Sequence, residues 1–199
     1  MLKVGITGGM GSGKTTVCKI FETLGIPIYY ADDQAKYLMT HNNKLKQKII
    51  DIFGTKAYRN DQNLNRKYIA DIAFKNPKKL KKLNEAVHPA VLEDSENWQK
   101  AQQDAPYTLK EAALLFESGS YLKLDKMITV VSPLELRIQR ILERDKTTKE
   151  AILARIEKQL SDEEKVAKSD FIIFNDLKNS LVKQVLKIHD QLIRQSKKD

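Results

Sequence analysis

The chain has 199 residues, 41% hydrophobic and 31% charged, and 35 Lys and Arg against 26 Asp and Glu leave a formal net charge of +9. That apolar fraction at this length supports one core, or one domain with a sizeable insert, and excludes a disordered chain or a disulfide-dependent mini-fold. Cys18 is the only cysteine, so an intrachain disulfide and a cysteine-based zinc site are excluded, and no run approaches the roughly 18 apolar residues of a membrane span. The N-terminus enters Leu2-Lys3-Val4-Gly5-Ile6 without a secretory pattern, and the expectation is a cytoplasmic protein with no membrane partner.

Apolar runs alternate with helical periodicities, which predicts the α/β class: a parallel five-stranded sheet flanked by helices. The first strand is read at Lys3 to Thr7 and the second at Ile26 to Tyr30. Between them Val17, Ile20, Phe21 and Leu24 recur at helical spacing and Gly25 closes the helix, so the first 30 residues form a β-α-β unit. From about residue 33 to 105 helical patterns take over, broken by Gly54, the polar run Arg59 to Asn65, Pro77 and Pro89. A crossover does not need some 70 residues, so this stretch is read as a helical insertion at the carboxyl ends of the strands, where ligands bind. Within it His88-Pro89 separates two helices, Pro77 to Val87 and Pro89 to Gln103. The remaining strands are read at Thr108 to Phe116, Lys126 to Val131 and Asp170 to Phe174. Capping boxes are read at Ser132 to Glu135, Thr147 to Glu150 and Ser161 to Glu164. A final helix, about 178 to 195, carries Leu181, Val182, Val185, Leu186, Ile188, Leu192 and Ile193 on one stripe. Lys197 and Lys198 are expected to fray. The chain is thus one domain, with a core at about 1–32 and 106–199 and the insertion at about 33–105.

Gly8-Gly9-Met10-Gly11-Ser12-Gly13-Lys14-Thr15 satisfies G-x-x-x-x-G-K-[ST] between a predicted strand and a predicted helix. Four of the eight glycines lie in it, and a chance match in such a chain is on the order of one in a hundred before that context is demanded. The glycines let successive N–H groups converge on phosphate oxygens. Gly11, Ser12, Gly13, Lys14, Thr15 and Thr16 are therefore the candidate nucleotide-binding residues, with Lys14 and the helix end adding positive charge. Thr15 places a hydroxyl where Mg²⁺ would bridge the β- and γ-phosphates of ATP.

An N-K-x-D base-reading motif is missing, as is a transporter-type serine-glycine-glycine signature. Asp51-Ile52-Phe53-Gly54 lies in a helical pattern and is read as coincidence. A small-molecule kinase remains. Asp32 follows the second strand and could accept a proton from an attacking hydroxyl or cap the next helix. Arg137, Arg140 and Arg144 share one helix face, suited to phosphate capture, although spacing alone favours a solvated basic face. Glu117 ends the third strand as read and could hold a magnesium water or an acceptor hydroxyl, or be a surface carboxylate. His88 is a candidate substrate-binding residue or a helix-junction residue.

The residues resemble the dephospho-coenzyme A kinase family. The resemblance rests on Gly5 to Val17 together with, in order, Ala31-Asp32, Leu83-x4-His88-Pro89, Leu114-Leu115-Phe116-Glu117, Arg140-x3-Arg144-Asp145, Arg155-x3-Gln159 and Phe171-Ile172-Ile173-x-Asn175. It implies a P-loop kinase core, a helical acceptor-binding insertion and a lid at about 137–168. It also implies that ATP phosphorylates the ribose 3′-hydroxyl of dephospho-coenzyme A. Asp32 matches the family's base, Arg140 a phosphate-contacting lid arginine and Asn175 a residue near the adenine. Tyr30, Ala113, Arg137 and Leu177 depart from the family's usual Asp, Pro, Gln and Gly. Two rivals remain open: a nucleoside or nucleotide kinase, and a nucleic-acid-associated ATPase suggested by the charge and by Lys75, Lys78, Lys79, Lys81 and Lys82. Only 7% of residues are aromatic and no nucleic-acid motif accompanies these lysines, so no nucleic-acid partner is expected.

Overall fold

Strand β1 (Leu2–Thr7) is the centre of the sheet, and its alternating side chains Val4 and Ile6 are fully buried. In the computed structural model, which describes residues 1–197, it pairs in parallel with β3 (Tyr107–Glu111) on one side and β4 (Lys126–Val131) on the other. The edges are β2 (Ile28–Tyr30) and β5 (Phe171–Phe174), giving the order β2-β3-β1-β4-β5. All pairings are parallel. The chain between β1 and β2 forms α1 (Lys14–Thr23), and α9 (Leu181–Ser196) follows β5. Val17, Cys18 and Phe21 of α1 and Val185, Ile188 and Leu192 of α9 share one core with the sheet. Tyr107 Oη and His189 Nδ1 add a 2.8 Å hydrogen bond to that packing. Val182 and Leu186 of the predicted apolar stripe face solvent instead. Lys198 lies outside the described residues.

Between β4 and β5 the chain forms α6 (Leu134–Arg144), α7 (Lys149–Ile156) and α8 (Asp162–Ala167). Ser161 opens α8 with the expected reciprocal capping box. On α7 the cap is Thr148 rather than Thr147. Pro133 precedes α6, so the Ser132 hydroxyl is free of capping and accepts from Arg140 instead.

Two further expectations fail for physical reasons. The third strand ends at Glu111, not Phe116. The Ala112 N–H makes one more ladder bond, to the Ile6 carbonyl, and the chain then turns back on itself through Ser118 N–H to Leu114 O and Gly119 N–H to Phe116 O. Leu115 and Phe116 are buried against Met127, and a short apolar run looks the same whether a strand or a buried turn carries it. Pro89 does not end a helix: α5 runs unbroken from Pro77 to Lys100 with Pro89 inside it. Proline removes one helical hydrogen bond, but Ala86 and Val87 just before it are buried and Ala90 and Val91 just after it pack on the same cluster, so tertiary burial outweighs the local cost.

The chain divides into two units, Met1–Tyr30 with everything from Gln99 onward, and Ala31–Trp98. The second is helical: α2 (Ala31–His41), α3 (Asn43–Phe53), α4 (Arg66–Lys75) and α5. Its core is Leu38, Leu45, Ile49, Phe53, Tyr58, Ile69 and the buried face of α5. Burial pushes the Tyr58 hydroxyl up to about 12 and it donates to Met39 O at 2.6 Å. The polar run Arg59 to Asn65 is a tight turn closed by a Tyr58–Leu64 bridge. Lys75, Lys78, Lys81 and Lys82 are exposed, Lys81 lies 3.8 Å from Glu85, and Lys79 sits over the Phe53 ring. They form a solvated helix face.

Candidate active site

The loop between β1 and α1 is shaped from behind by side chains far along the chain. Three consecutive carbonyls are each taken by one donor: Arg137 Nε to Met10 O at 2.9 Å, Arg140 Nη1 to Gly11 O at 3.5 Å and Asn175 Nδ2 to Ser12 O at 2.8 Å. A trans peptide points its N–H opposite its carbonyl, so holding the Met10 and Ser12 carbonyls outward turns the Gly11 and Gly13 N–H groups toward the other side. Gly13 adopts φ 90°, and a Cβ there would lie 2.1 Å from Asn175 Nδ2. Only glycine admits both the angle and the approach.

α3, α4, α5, α7, α8 and α9 are each opened by a side chain that accepts one of the free N–H groups: Asn42, Asn65, Asn76, Thr148, Ser161 and Ser180. α1 has no such cap and no acid in its first turn. Its uncapped end, carrying about half a positive charge, is thus left for an external anion. Lys14 is buried with Nζ 3.0 Å from Gly8 O and 3.4 Å from Gly9 O, and Thr15 and Thr16 are exposed. The Ser12 hydroxyl is buried without a partner among the described residues.

The solvated arginine face expected from spacing is corrected. Arg137 is 5% exposed and pairs with Asp162 at 2.9 Å. Arg140 binds Gly11 O, Ser132 Oγ and Asn175 Oδ1. Only Arg144 faces water, where its bidentate contact holds the Asp145 carboxyl below the usual carboxylate range. The helix face is basic because it abuts a row of carbonyls.

Glu117 is six residues beyond the end of β3. Its Oε1 accepts the Leu160 N–H at 3.0 Å and lies 3.1 Å from Lys165 Nζ, a lysine with no solvent exposure. Its carboxylate therefore ties α8 and the chain before it to the turn after β3. The acid that does close β3 is Glu111, in register with Ile6 of β1 and Tyr30 of β2 and 7% exposed. Sequence reading missed it, although an acid ending the Tyr107–Glu111 run, on the strand that neighbours the loop, is the available signal.

The dephospho-CoA kinase family profile matches residues 2–180. The chain belongs to the dephospho-CoA kinase family. A dephospho-CoA kinase of Salinibacter ruber is 39% identical over 178 residues, 88% of this chain and 89% of its own. A crystal structure from Thermus thermophilus superimposes with a TM-score of 0.83 at 30% identity, covering 96% of each chain. Dephospho-CoA kinase from Campylobacter jejuni gives 0.70 at 30% identity, covering 96% and 97%.

The other kinase residues singled out from sequence belong to the helical unit. α2 starts at Ala31 directly after β2, so Asp32 lies inside the first turn rather than capping it. It is exposed and makes no hydrogen bond or ion pair among the described residues, whereas Asp33 pairs with Lys36. His88 is exposed in the middle of α5, not at a junction, and desolvation pulls its pKa below the ordinary histidine value. Departures from the family pattern have local accommodations. Tyr30 donates to Glu22 at 3.0 Å, Ala113 O accepts from Thr7, and Leu177 takes φ 65°, an angle that favours glycine. No helix among the described residues is long and apolar enough to cross a membrane.

Proposed function

We propose that this kinase transfers the γ-phosphate of ATP to the ribose 3′-hydroxyl of 3′-dephospho-CoA in the following way, in the cytoplasm. The ribose oxygen bonds to the γ-phosphorus as the bond from that phosphorus to the β,γ-bridging oxygen breaks. Asp32 orients the hydroxyl and takes its proton, and ADP leaves with coenzyme A as the other product. The phosphate chain lies in the loop from Gly11 to Thr16. There Lys14 and the inward N–H groups meet charge that grows on the β- and γ-oxygens. Arg140 and Asn175 hold the loop in shape through the Gly11 and Ser12 carbonyls, with Asn175 on the adenine side. His88 contributes to the acceptor site, and Glu117 holds the segment before α8 in place. Support for this reading comes above all from the three outward-held carbonyls beside the uncapped end of α1, because that arrangement leaves N–H groups and a helix dipole with an anion as the fitting partner.

Mg²⁺ fits the donors present. Among the described residues no three acids, histidines or cysteines cluster as a metal cage, and Mg²⁺ is usually held by one or two protein oxygens plus substrate phosphates. The exposed Thr15 hydroxyl and the Glu111 carboxylate, directly or through water, would hold it. When bound, it neutralises charge between the β- and γ-phosphates.

The test is an acceptor panel with Mg-ATP: dephospho-CoA, nucleosides, nucleoside monophosphates and RNA. Coenzyme A and ADP are expected from dephospho-CoA alone. Turnover of a nucleoside monophosphate, or RNA-stimulated ATP hydrolysis, without activity on dephospho-CoA would contradict the reading.

A further inference from the structure

Residue Met10 is gripped through the peptides on both its sides by side chains of the α6–α8 segment. Gln159 Oε1 accepts its N–H at 3.0 Å, and Arg137 Nε donates to its carbonyl at 2.9 Å. The Arg137 guanidinium packs on Gly9 so closely that a Cβ there would lie 2.2 Å from Nη2, while Nη1 reaches Asp162 Oδ2 at 2.9 Å. Gln159 lies on the connection from α7 to α8, and Asp162, three residues on, is the first residue of α8. The same stretch is fixed by Glu117, through Leu160 N–H and Lys165 Nζ.

Arg137 addresses the carbonyl side of the loop. Nε and Nη1 are committed to Met10 and Asp162, so it acts through the loop rather than on phosphate. Its charge is buried, and Asp162 is its only carboxylate partner among the described residues. A buried guanidinium is tolerated only while paired. Unseating the α7–α8 connection would release the Met10 N–H from Gln159 and, at the same time, strip the ion pair from the Arg137 side chain that holds the Met10 carbonyl. The shape of the phosphate loop and the seating of the lid segment are therefore one mechanical element. We propose that Arg137, with Asp162 and Gln159, is a positioning device that sets the nucleotide affinity of the phosphate loop according to whether the α7–α8 connection is seated. This rests on the kinase reading above.

The experiment is a double-mutant cycle in the full chain, Arg137→Met, Asp162→Asn and both together, measuring the Mg-ATP dissociation constant, the KM for ATP and kcat at saturating ATP. The single variants are expected to weaken Mg-ATP binding, Arg137→Met by about tenfold and Asp162→Asn by several-fold, with kcat at saturation nearly retained. Asp162→Asn should add little in the Arg137→Met background, because its effect travels through that side chain. Should Arg137→Met not fold, Gln159→Leu reads the same residue, Met10, from its N–H side and is expected to weaken Mg-ATP binding too. Unchanged Mg-ATP affinity in folded Asp162→Asn and Gln159→Leu proteins overturns the proposal, as do effects of Arg137→Met and Asp162→Asn that simply multiply. Failure of the unaltered protein to bind Mg-ATP overturns the kinase reading instead.

Discussion

The sheet-bearing unit and the helical unit Ala31–Trp98 keep their functional groups in opposite conditions. In the first, the phosphate loop is anchored atom by atom: Met10, Gly11 and Ser12 give their carbonyls to Arg137, Arg140 and Asn175, and the Lys14 ammonium is buried against the loop. In the second, an apolar core of Leu38, Leu45, Ile49, Phe53 and Ile69 supports an exposed His88 and an exposed Asp32 that is unpaired among the described residues. A group that must present fixed dipoles to a polyanion benefits from preorganisation, whereas a carboxylate that must meet a mobile hydroxyl needs to be free of internal partners. Under the proposed function, this difference gives nucleotide binding to one unit and acceptor chemistry to the other.

That division can be broken first at Lys14. Lys14→Ala is expected to lower kcat about a hundredfold, the usual worth of a lost group facing transition-state charge, in a protein that still melts cooperatively. Near-normal turnover of the folded variant would remove the loop from the chemistry.

Glu117 offers a sharper cut, because the sequence suggested an acceptor ligand and the structure gives it a buried lysine. Glu117→Gln leaves Lys165 uncompensated. A loss of about 3 kcal/mol is expected, which lowers Tm by roughly 6–12 °C. A normal Tm combined with a raised KM for the acceptor would return Glu117 to the acceptor site.

The smallest expected effect is in the helical unit. Pro89→Ala restores a helical N–H, and a gain of about 1–2 kcal/mol is expected after the proline's rigidity in the unfolded chain is subtracted. Denaturant melts should show it with Mg-ATP affinity unchanged. A loss of stability would mean that the ring itself fills the α5 packing.

The legibility of these features followed the range of the interactions behind them. The phosphate loop was readable because its glycines, Lys14 and Thr15 are local in sequence and the backbone demands them. α1, β4 and the Ser161 capping box were readable for the same reason. Ala112 to Phe116 was not, since a run of five apolar residues has no period to separate a strand from a buried turn. Pro89 misled because a helix-breaking rule says nothing of the burial of Ala86 and Val87 just before the proline or the packing of Ala90 and Val91 just after it. Arg137 and Arg140 could be placed on one face but not against the loop, which is more than 120 residues earlier. Lys165, in an acidic helix start, reads as solvent-exposed, and only its distant partner Glu117 explains its burial.

The division of labour is tested most directly by Asp32→Asn, measured for kcat, Mg-ATP dissociation constant and Tm on the same preparation. Asn keeps the size and one hydrogen-bonding oxygen but loses charge and basicity. Asp32 has no partner to lose among the described residues and does not cap α2, so Tm and Mg-ATP affinity should stay at their unaltered values. The fall in kcat should be about 10² to 10⁴, nearer the lower bound if the loose transition state asks the carboxylate mainly to orient the hydroxyl. An Asp32→Asn protein with unaltered kcat, or one whose loss appears in Mg-ATP affinity instead, would contradict the assignment of acceptor chemistry to this residue.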